Sequence, residues 1–220
     1  CQFQMIRRDG FGIDHAFDVH WKISTQAIFA DLLTYDELLA EAVPVPSLGP
    51  HARAAGHLHA LLLACIHPVM HHRNSERLLW LYDIHLLATR LPDGDLERFT
   101  QLAIAKHVAR ICRHQLSRCA TRFGTPVPAR LLASLEADRG VEPSEIYLRQ
   151  DRRWHDELAS SFKGLPRWRD RARLLREVIL PGPGYLLKTY GLTRWGFLLL
   201  PVLYSHRCLR GFFRILTGRK

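Results

Sequence analysis

Residues 2–8, Gln-Phe-Gln-Met-Ile-Arg-Arg, alternate in the manner of a strand. Asp9-Gly10 then supplies a hairpin turn. A second alternating run over about residues 13–23 completes a predicted β-hairpin. Side chains of a strand point to opposite faces in turn. Ile13, Phe17, Val19, Trp21 and Ile23 are therefore expected to enter a core, while Asp14, Asp18, His20 and Lys22 share the other face. Asp18 and His20 become neighbours there, two residues apart, placed to share a metal ion or a phosphate.

After the hairpin the period changes from two to that of a helix. Thr25 is expected to cap a helix reaching about Leu33, and Thr34 or Asp36 to start another through Glu41. Pro44, Pro46, Ser47 and Gly49-Pro50 read as a loop. A helix is expected over 52–67, with Leu58, Leu61, Leu62, Cys65 and Ile66 apolar and Pro68 kinking or ending it. The next, 75–90, offers Leu78, Leu79, Tyr82, Ile84, Leu86 and Leu87 as a broad apolar face. Asp93 or Asp95 caps a helix to about Ala105, and His107–Phe123 forms another that Gly124 stops. Arg130–Ala137 is short, and Gly140 to Pro143 reads as a turn. Ser144–Phe162 reads as one or two exposed helices. Leu165–Val178 is basic and helical, and Trp195–Leu216 closes the chain. The fold class is α+β, predominantly α-helical: a hairpin with short helices in a domain over 1–46, and a helical domain over 47–220.

Composition narrows the partners without choosing one. An excess of 31 Lys+Arg over 21 Asp+Glu gives +10 in 220 residues, which suits nucleotides, nucleic acid or an anionic membrane surface. The apolar run Gly196–Tyr204 is far short of the roughly twenty residues that span a bilayer. No positively charged segment followed by a cleavable apolar run is visible in the first residues, so no signal peptide is expected there. The five cysteines, Cys1, Cys65, Cys112, Cys119 and Cys208, are scattered on apolar helical stretches with no C-x-x-C pair. They read as buried, reduced thiols of a cytoplasmic protein.

The string Phe17-Asp18-Val19-His20-Trp21 resembles the hydrophobic-Asp-Leu-His-Trp strand of an uncharacterised nucleotidyltransferase family. That family is found in bacteria, often beside exopolysaccharide genes, and belongs to the DNA polymerase beta-like nucleotidyltransferases. His67 followed by Arg77-Leu78-Leu79-Trp80-Leu81-Tyr82-Asp83-Ile84 is similar to its paired helices. Ile179-Leu180-Pro181 and the closing aromatic-basic segment fit as well. The resemblance implies transfer of a nucleotidyl group from a nucleoside triphosphate, with Mg²⁺ held by three carboxylates. Asp18 matches the third carboxylate, and the hairpin the remnant of a nucleotidyltransferase α/β domain. His20 then holds a phosphate or orients Asp18, and Lys22, on the same face, is a candidate for binding the nucleotide.

The family's first two carboxylates lie in a Gly-Ser…Asp-x-Asp segment, and this chain has no Gly-Ser pair. Asp93-Gly94-Asp95 follows Leu91-Pro92 at a helix start, where Asp caps are ordinary. Either residues preceding Cys1 supply the pair, so that this is an N-terminally truncated and inactive member, or the protein is not catalytic.

His67 and Asp83, on consecutive helices, are expected to hydrogen-bond, with Asp83 buried. Trp80 reads as core rather than a base-stacking platform. His57, His59, His71 and His72 cluster near His67, but Pro68 separates His67 from His71 and no third ligand for a zinc ion is evident. Basic clusters at Arg152-Arg153, Arg167–Arg176 and Arg207–Lys220 interleave with Trp154, Trp168, Trp195, Phe212 and Phe213. These suit peripheral contact with an anionic membrane or, second, nucleic acid. The alternative to the transferase is a non-catalytic helical module binding one of those surfaces.

Overall fold

Strand β1 (Gln2–Arg8) pairs antiparallel with β2 (Asp14–His20), placing Phe3 opposite Val19, Gln4 opposite Asp18 and Met5 opposite Phe17. This is a computed structural model; it describes residues 2–137, 141–192 and 194–217. Cys1, Gly140 and the side chains of Asp93, Trp195 and Phe212, all invoked above, lie outside what is described. The turn is built by Asp9, whose Oδ1 accepts from the N–H groups of Phe11 and Ile13 at 2.9 and 3.0 Å. Its other oxygen lies 2.9 Å from Nε2 of His15. Gly12 takes φ +80°, a conformation that favours glycine.

The hairpin corrects one expectation. Phe17 and Trp21 are 52% and 63% exposed, and Phe3, Met5, Ile13 and Val19 are exposed too. Of the apolar set on β2 and its flanks, Ile23 packs against the core. Alternation gave the strand and its register but not a cover for its apolar face. A two-stranded ribbon cannot bury a face by itself.

Helix α1 (Ala27–Ala30) is shorter than expected and lacks the Thr25 cap; its N-cap is Gln26. Helix α2 (Tyr35–Ala40) begins as the sequence requires. Thr34 Oγ1 accepts from the N–H of Glu37, and Glu37 Oε2 accepts from the N–H of Thr34. The proline-rich stretch is pinned by two short paired strands, β3 (Val43–Pro44) and β4 (Arg53–Ala54).

The core lies among α3 (His57–His71), α4 (Leu78–Arg90), α5 (Asp93–Ala105), α6 (Ala109–Phe123) and α7 (Ala129–Glu136). Leu61, Leu62, Ile66, Ile84, Phe99, Ile111 and Leu116 are fully buried in it. Cys65, Cys112 and Cys119 are buried thiols as expected, whereas Cys208 is exposed. The hydrogen bond between Cys65 and Cys112, together with burial, pushes the Cys65 thiol well up, so it stays protonated.

Two helices differ from expectation in a way that shapes the site. Helix α3 does not end at Pro68 but continues to His71, because the turn beyond the proline buries Val69 and Met70. That burial offsets the hydrogen bond that proline removes. The Pro68 carbonyl oxygen then accepts from the N–H groups of His72 and Asn74, at 3.1 and 2.9 Å. On α4 the inward face is Leu81, Ile84 and Ala88, while Leu78, Leu79 and Tyr82 are exposed.

The segment expected to be exposed, 144–162, packs instead. A 3₁₀ helix, Pro143–Leu148, puts Tyr147 fully inside, its ring 4.8 Å from that of Phe29 at 70°. Helix α8 (Trp154–Gly164) follows. Arg152, grouped above with the basic clusters suited to a membrane or nucleic-acid surface, is only 3% exposed.

The chain divides into two compact units, residues 1–164 and 165–220. The second contains α9 (Trp168–Ile179), α10 (Pro183–Thr189), a 3₁₀ helix Arg194–Leu199 and α11 (Leu200–Thr217). Its own core is small: Leu186, Leu187 and Leu203, with Tyr190, Leu192, Leu200 and Tyr204 against them.

Candidate functional site

Strand pairing sorts the hairpin's side chains into two sets. Gln4, Asp18, Ile6, Ala16, Arg8 and Asp14 share the face that also carries His20. At its turn end Arg8 and Asp14 neutralise one another, with Nε to Oδ1 at 2.8 Å and Nη2 to Oδ2 at 3.1 Å. Asp18, two pairs further on, is exposed. Neither a hydrogen bond nor an ion pair to another described residue engages its carboxylate. It is therefore the acidic group on this face that is uncommitted.

His20 ends β2, and the chain turns through Trp21–Ser24 towards α1. Lys22 lies beyond the strand and is already engaged. Its Nζ sits 3.0 and 3.1 Å from the two carboxylate oxygens of Asp31. This ion pair ties the hairpin's exit to the end of α1.

The polar surface continues on α3 and α4, where the structure assembles what the sequence kept apart. His67 and His71 are one helical turn apart, because α3 runs through Pro68. Their ring centroids are 5.4 Å apart, and His72, the helix C-cap, is 5.0 Å from His67. Trp80 of α4 lies against this group. His72 stacks on its indole at 4.1 Å and 25°, His67 meets it edge-on at 5.6 Å, and the Arg77 guanidinium sits 5.0 Å from its centroid. Trp80 is half-buried, so it is neither core nor an open stacking platform.

Burial lowers the pKa of His67, and the neighbouring His71 and His72 lower it further, while Asp83 works in the opposite direction. His71 is lowered by desolvation first, then by His72 and by His20. That last contribution places the end of β2 within electrostatic reach of α3. The link between the two stretches that carry the sequence motifs is this electrostatic one, between His20 and His71.

Asp83 also departs from expectation: it is exposed, and its side chain makes no hydrogen bond to another described residue. Its link to His67 is charge alone. The helical spacing put it on the apolar stretch Leu78–Leu87, but α4 is turned so that Leu81 and Ile84 face the core. Pro68, expected to kink or end the helix, lies within it, and this brings His71 and His72 beside His67. The i, i+4 spacing of His67 and His71 is the signal in the sequence, and the unbroken helix realises it.

As a metal centre the donors do not suffice on their own. Among the described residues no three His, Cys, Asp or Glu side chains are placed to hold an ion. Asp18 is a lone carboxylate in this respect, since no such group forms around it among the described residues.

A sequence model of the uncharacterised nucleotidyltransferase family matches residues 5–124. The matched stretch runs from β1 to the Gly124 that ends α6, and so includes β2, α3 and α4. No curated protein matches, and no solved structure matches.

Proposed function

This chain belongs to the uncharacterised nucleotidyltransferase family, and from that premise we propose that it acts with Mg²⁺ on a nucleoside triphosphate and an acceptor hydroxyl. In such a transfer the hydroxyl oxygen bonds to the α-phosphorus, the bond to pyrophosphate breaks, and the hydroxyl proton passes to a base. The observation that carries the reading is the uncommitted carboxylate of Asp18 on an exposed strand face, two residues from His20. In this proposal Asp18 offers one carboxylate to the cation, and His20 orients it or contacts a phosphate.

The donors of residues 2–137 do not form a two-ion site by themselves, so the proposal includes a source for the other two carboxylates. We place them in a Gly-Ser…Asp-x-Asp segment preceding Cys1. The exposed apolar face of the hairpin, with Phe3, Met5, Phe17 and Val19, supports this, because further strands would cover it. Residues 1–46 would then be the closing part of an α/β domain.

The test begins with the gene. Codons preceding Cys1 that encode Gly-Ser…Asp-x-Asp are expected, and a start codon close to Cys1 without that motif overturns the proposal. Pyrophosphate release is then compared between the 220-residue chain and the polypeptide extended by those codons. Mg²⁺-dependent release by the extended protein alone is the expected result. Turnover by the 220-residue chain would show that the three-carboxylate scheme is wrong for this protein.

A further inference from the structure

The charge of this protein is not spread over it. Residues 1–164 carry 19 Lys+Arg and 19 Asp+Glu, whereas residues 165–220 carry 12 Lys+Arg and 2 Asp+Glu. The whole excess of +10 belongs to the second unit.

Within that unit α9 is amphipathic and turns its apolar stripe outward. Trp168, Ala172, Leu175 and Ile179 recur at i, i+4, i+7 and i+11 and so share one side of the helix. All four are exposed, Trp168 by 72%. The flank of the stripe is cationic, with Arg169, Arg173 and Arg176 at the same spacing, all exposed. Arg169 Cζ lies 5.9 Å from the Trp168 ring centroid. The inward side is Asp170, Arg171, Leu174 and Val178, each partly buried. Two hydrogen bonds tie the end of α9 and the turn after it to α11. Tyr204 Oη donates to the Pro181 carbonyl at 2.6 Å, and Arg207 Nη2 to that of Val178 at 3.4 Å. The outward stripe is therefore not the face the unit uses for its own packing. Leu198, Val202 and Leu209 are further apolar side chains left exposed in the same unit.

We infer that residues 165–220 dock on an anionic lipid membrane surface, with α9 lying in the interface, its Trp168–Ile179 stripe in the acyl boundary and its arginines at the headgroups. The choice of occupant follows from the combination of features. A nucleic acid would use the arginines but offers nothing to a stripe of Leu and Ile. A protein groove would take the stripe but does not call for ten excess positive charges. An anionic bilayer takes both, and aromatic and basic residues at its boundary are what such a surface selects. The helix lies on the membrane rather than through it, since no helix among the described residues is long and apolar enough to cross one. This inference does not depend on nucleotidyl transfer.

The experiment is sedimentation of the 220-residue chain with vesicles of phosphatidylcholine alone or with about one-third phosphatidylserine. Binding to the anionic vesicles is expected to exceed that to the neutral ones by about tenfold or more. The double variant L175E/I179E should lose about tenfold or more of that binding. It should keep its circular dichroism and melting temperature, because both side chains are exposed. R169Q/R173Q/R176Q should bind anionic vesicles less and respond less to salt. Failure to bind anionic vesicles overturns the inference, and so does binding that L175E/I179E leaves unchanged. Displacement from vesicles by a polynucleotide that L175E/I179E binds equally well would assign the surface to nucleic acid instead.

Discussion

Arg152 donates through Nη2 to the carbonyl oxygen of Val69 at 3.0 Å, joining two residues 83 positions apart. The same guanidinium donates to the carbonyls of Tyr147 and Arg149 and, at 2.7 Å, to the carboxylate of Glu157. It also lies 4.9 Å from the Tyr147 ring centroid. A buried cation held on all sides is costly to lose, because its partners are left without donors. Arg152→Met is expected to lower stability by about 3 kcal/mol, read from denaturant unfolding. Arg153→Ala, one residue away and exposed, should stay within about 0.5 kcal/mol. Equal effects of the two would mean that the network around Arg152 contributes little.

Glu37 gives the fold an acid-sensitive joint. The hydrogen bond to Lys106, whose Nζ is 2.5 Å from Oε1, holds the carboxyl down to about 2, with the Thr34 N–H adding to it. A carboxylate favoured in the folded state contributes its full stability above the ordinary value near 4.5. That contribution is lost as the pH falls from there towards 2. The side chain is partly exposed, so screening reduces the contribution to about 1 kcal/mol. Glu37→Gln should therefore cost about that much at pH 7 and nothing further between pH 4.5 and 2. Thermal melts of both proteins across this range measure the difference.

Asp83 and His67 interact through charge without a hydrogen bond, which separates two effects of one substitution. Asp83→Asn should leave the melting temperature nearly unchanged, since the side chain is exposed. It should also move the His67 pKa still lower, because the carboxylate is the influence that raises it. A proton NMR titration of the imidazole reads the shift. An unchanged His67 curve would place Asp83 outside its electrostatic reach.

Asp18→Asn tests the site without touching the scaffold. The change is isosteric, and the native carboxylate is exposed and uncommitted. The variant should fold with wild-type stability and, in the extended polypeptide described above, lose transfer by about a hundredfold or more. An extended Asp18→Asn protein with full activity would remove Asp18 from the site.

Much of the local architecture was legible because it is set by neighbours in sequence. The alternation around Asp9-Gly10 gave the hairpin, Thr34 and Glu37 gave a capping box, and Gly124, at φ +64°, gave the end of α6. What the sequence did not reveal was decided across the fold. Pro68 lies inside α3 because burial of Val69 and Met70 outweighs the lost hydrogen bond, and that decision aligns His71 with His67. Asn74 is buried with φ +54°, donates to Leu148 and accepts from Gln115. Nothing in its immediate neighbours announces those partners. The alternation put Asp18 and His20 on one strand face, but the electrostatic reach of His20 to His71 on α3 joins residues far apart in the chain and no local pattern announces it.

The uneven distribution of charge also governs how the protein behaves as a colloid. Residues 1–164 balance their Lys and Arg against equal numbers of Asp and Glu, so at neutral pH that unit sits near its own isoelectric point. Proteins near zero net charge repel one another least and associate most readily. The mutual repulsion that keeps copies of this chain apart therefore originates in residues 165–220. Polyanions or added salt that mask those residues act on the solubility of the entire molecule, including the unit they never touch.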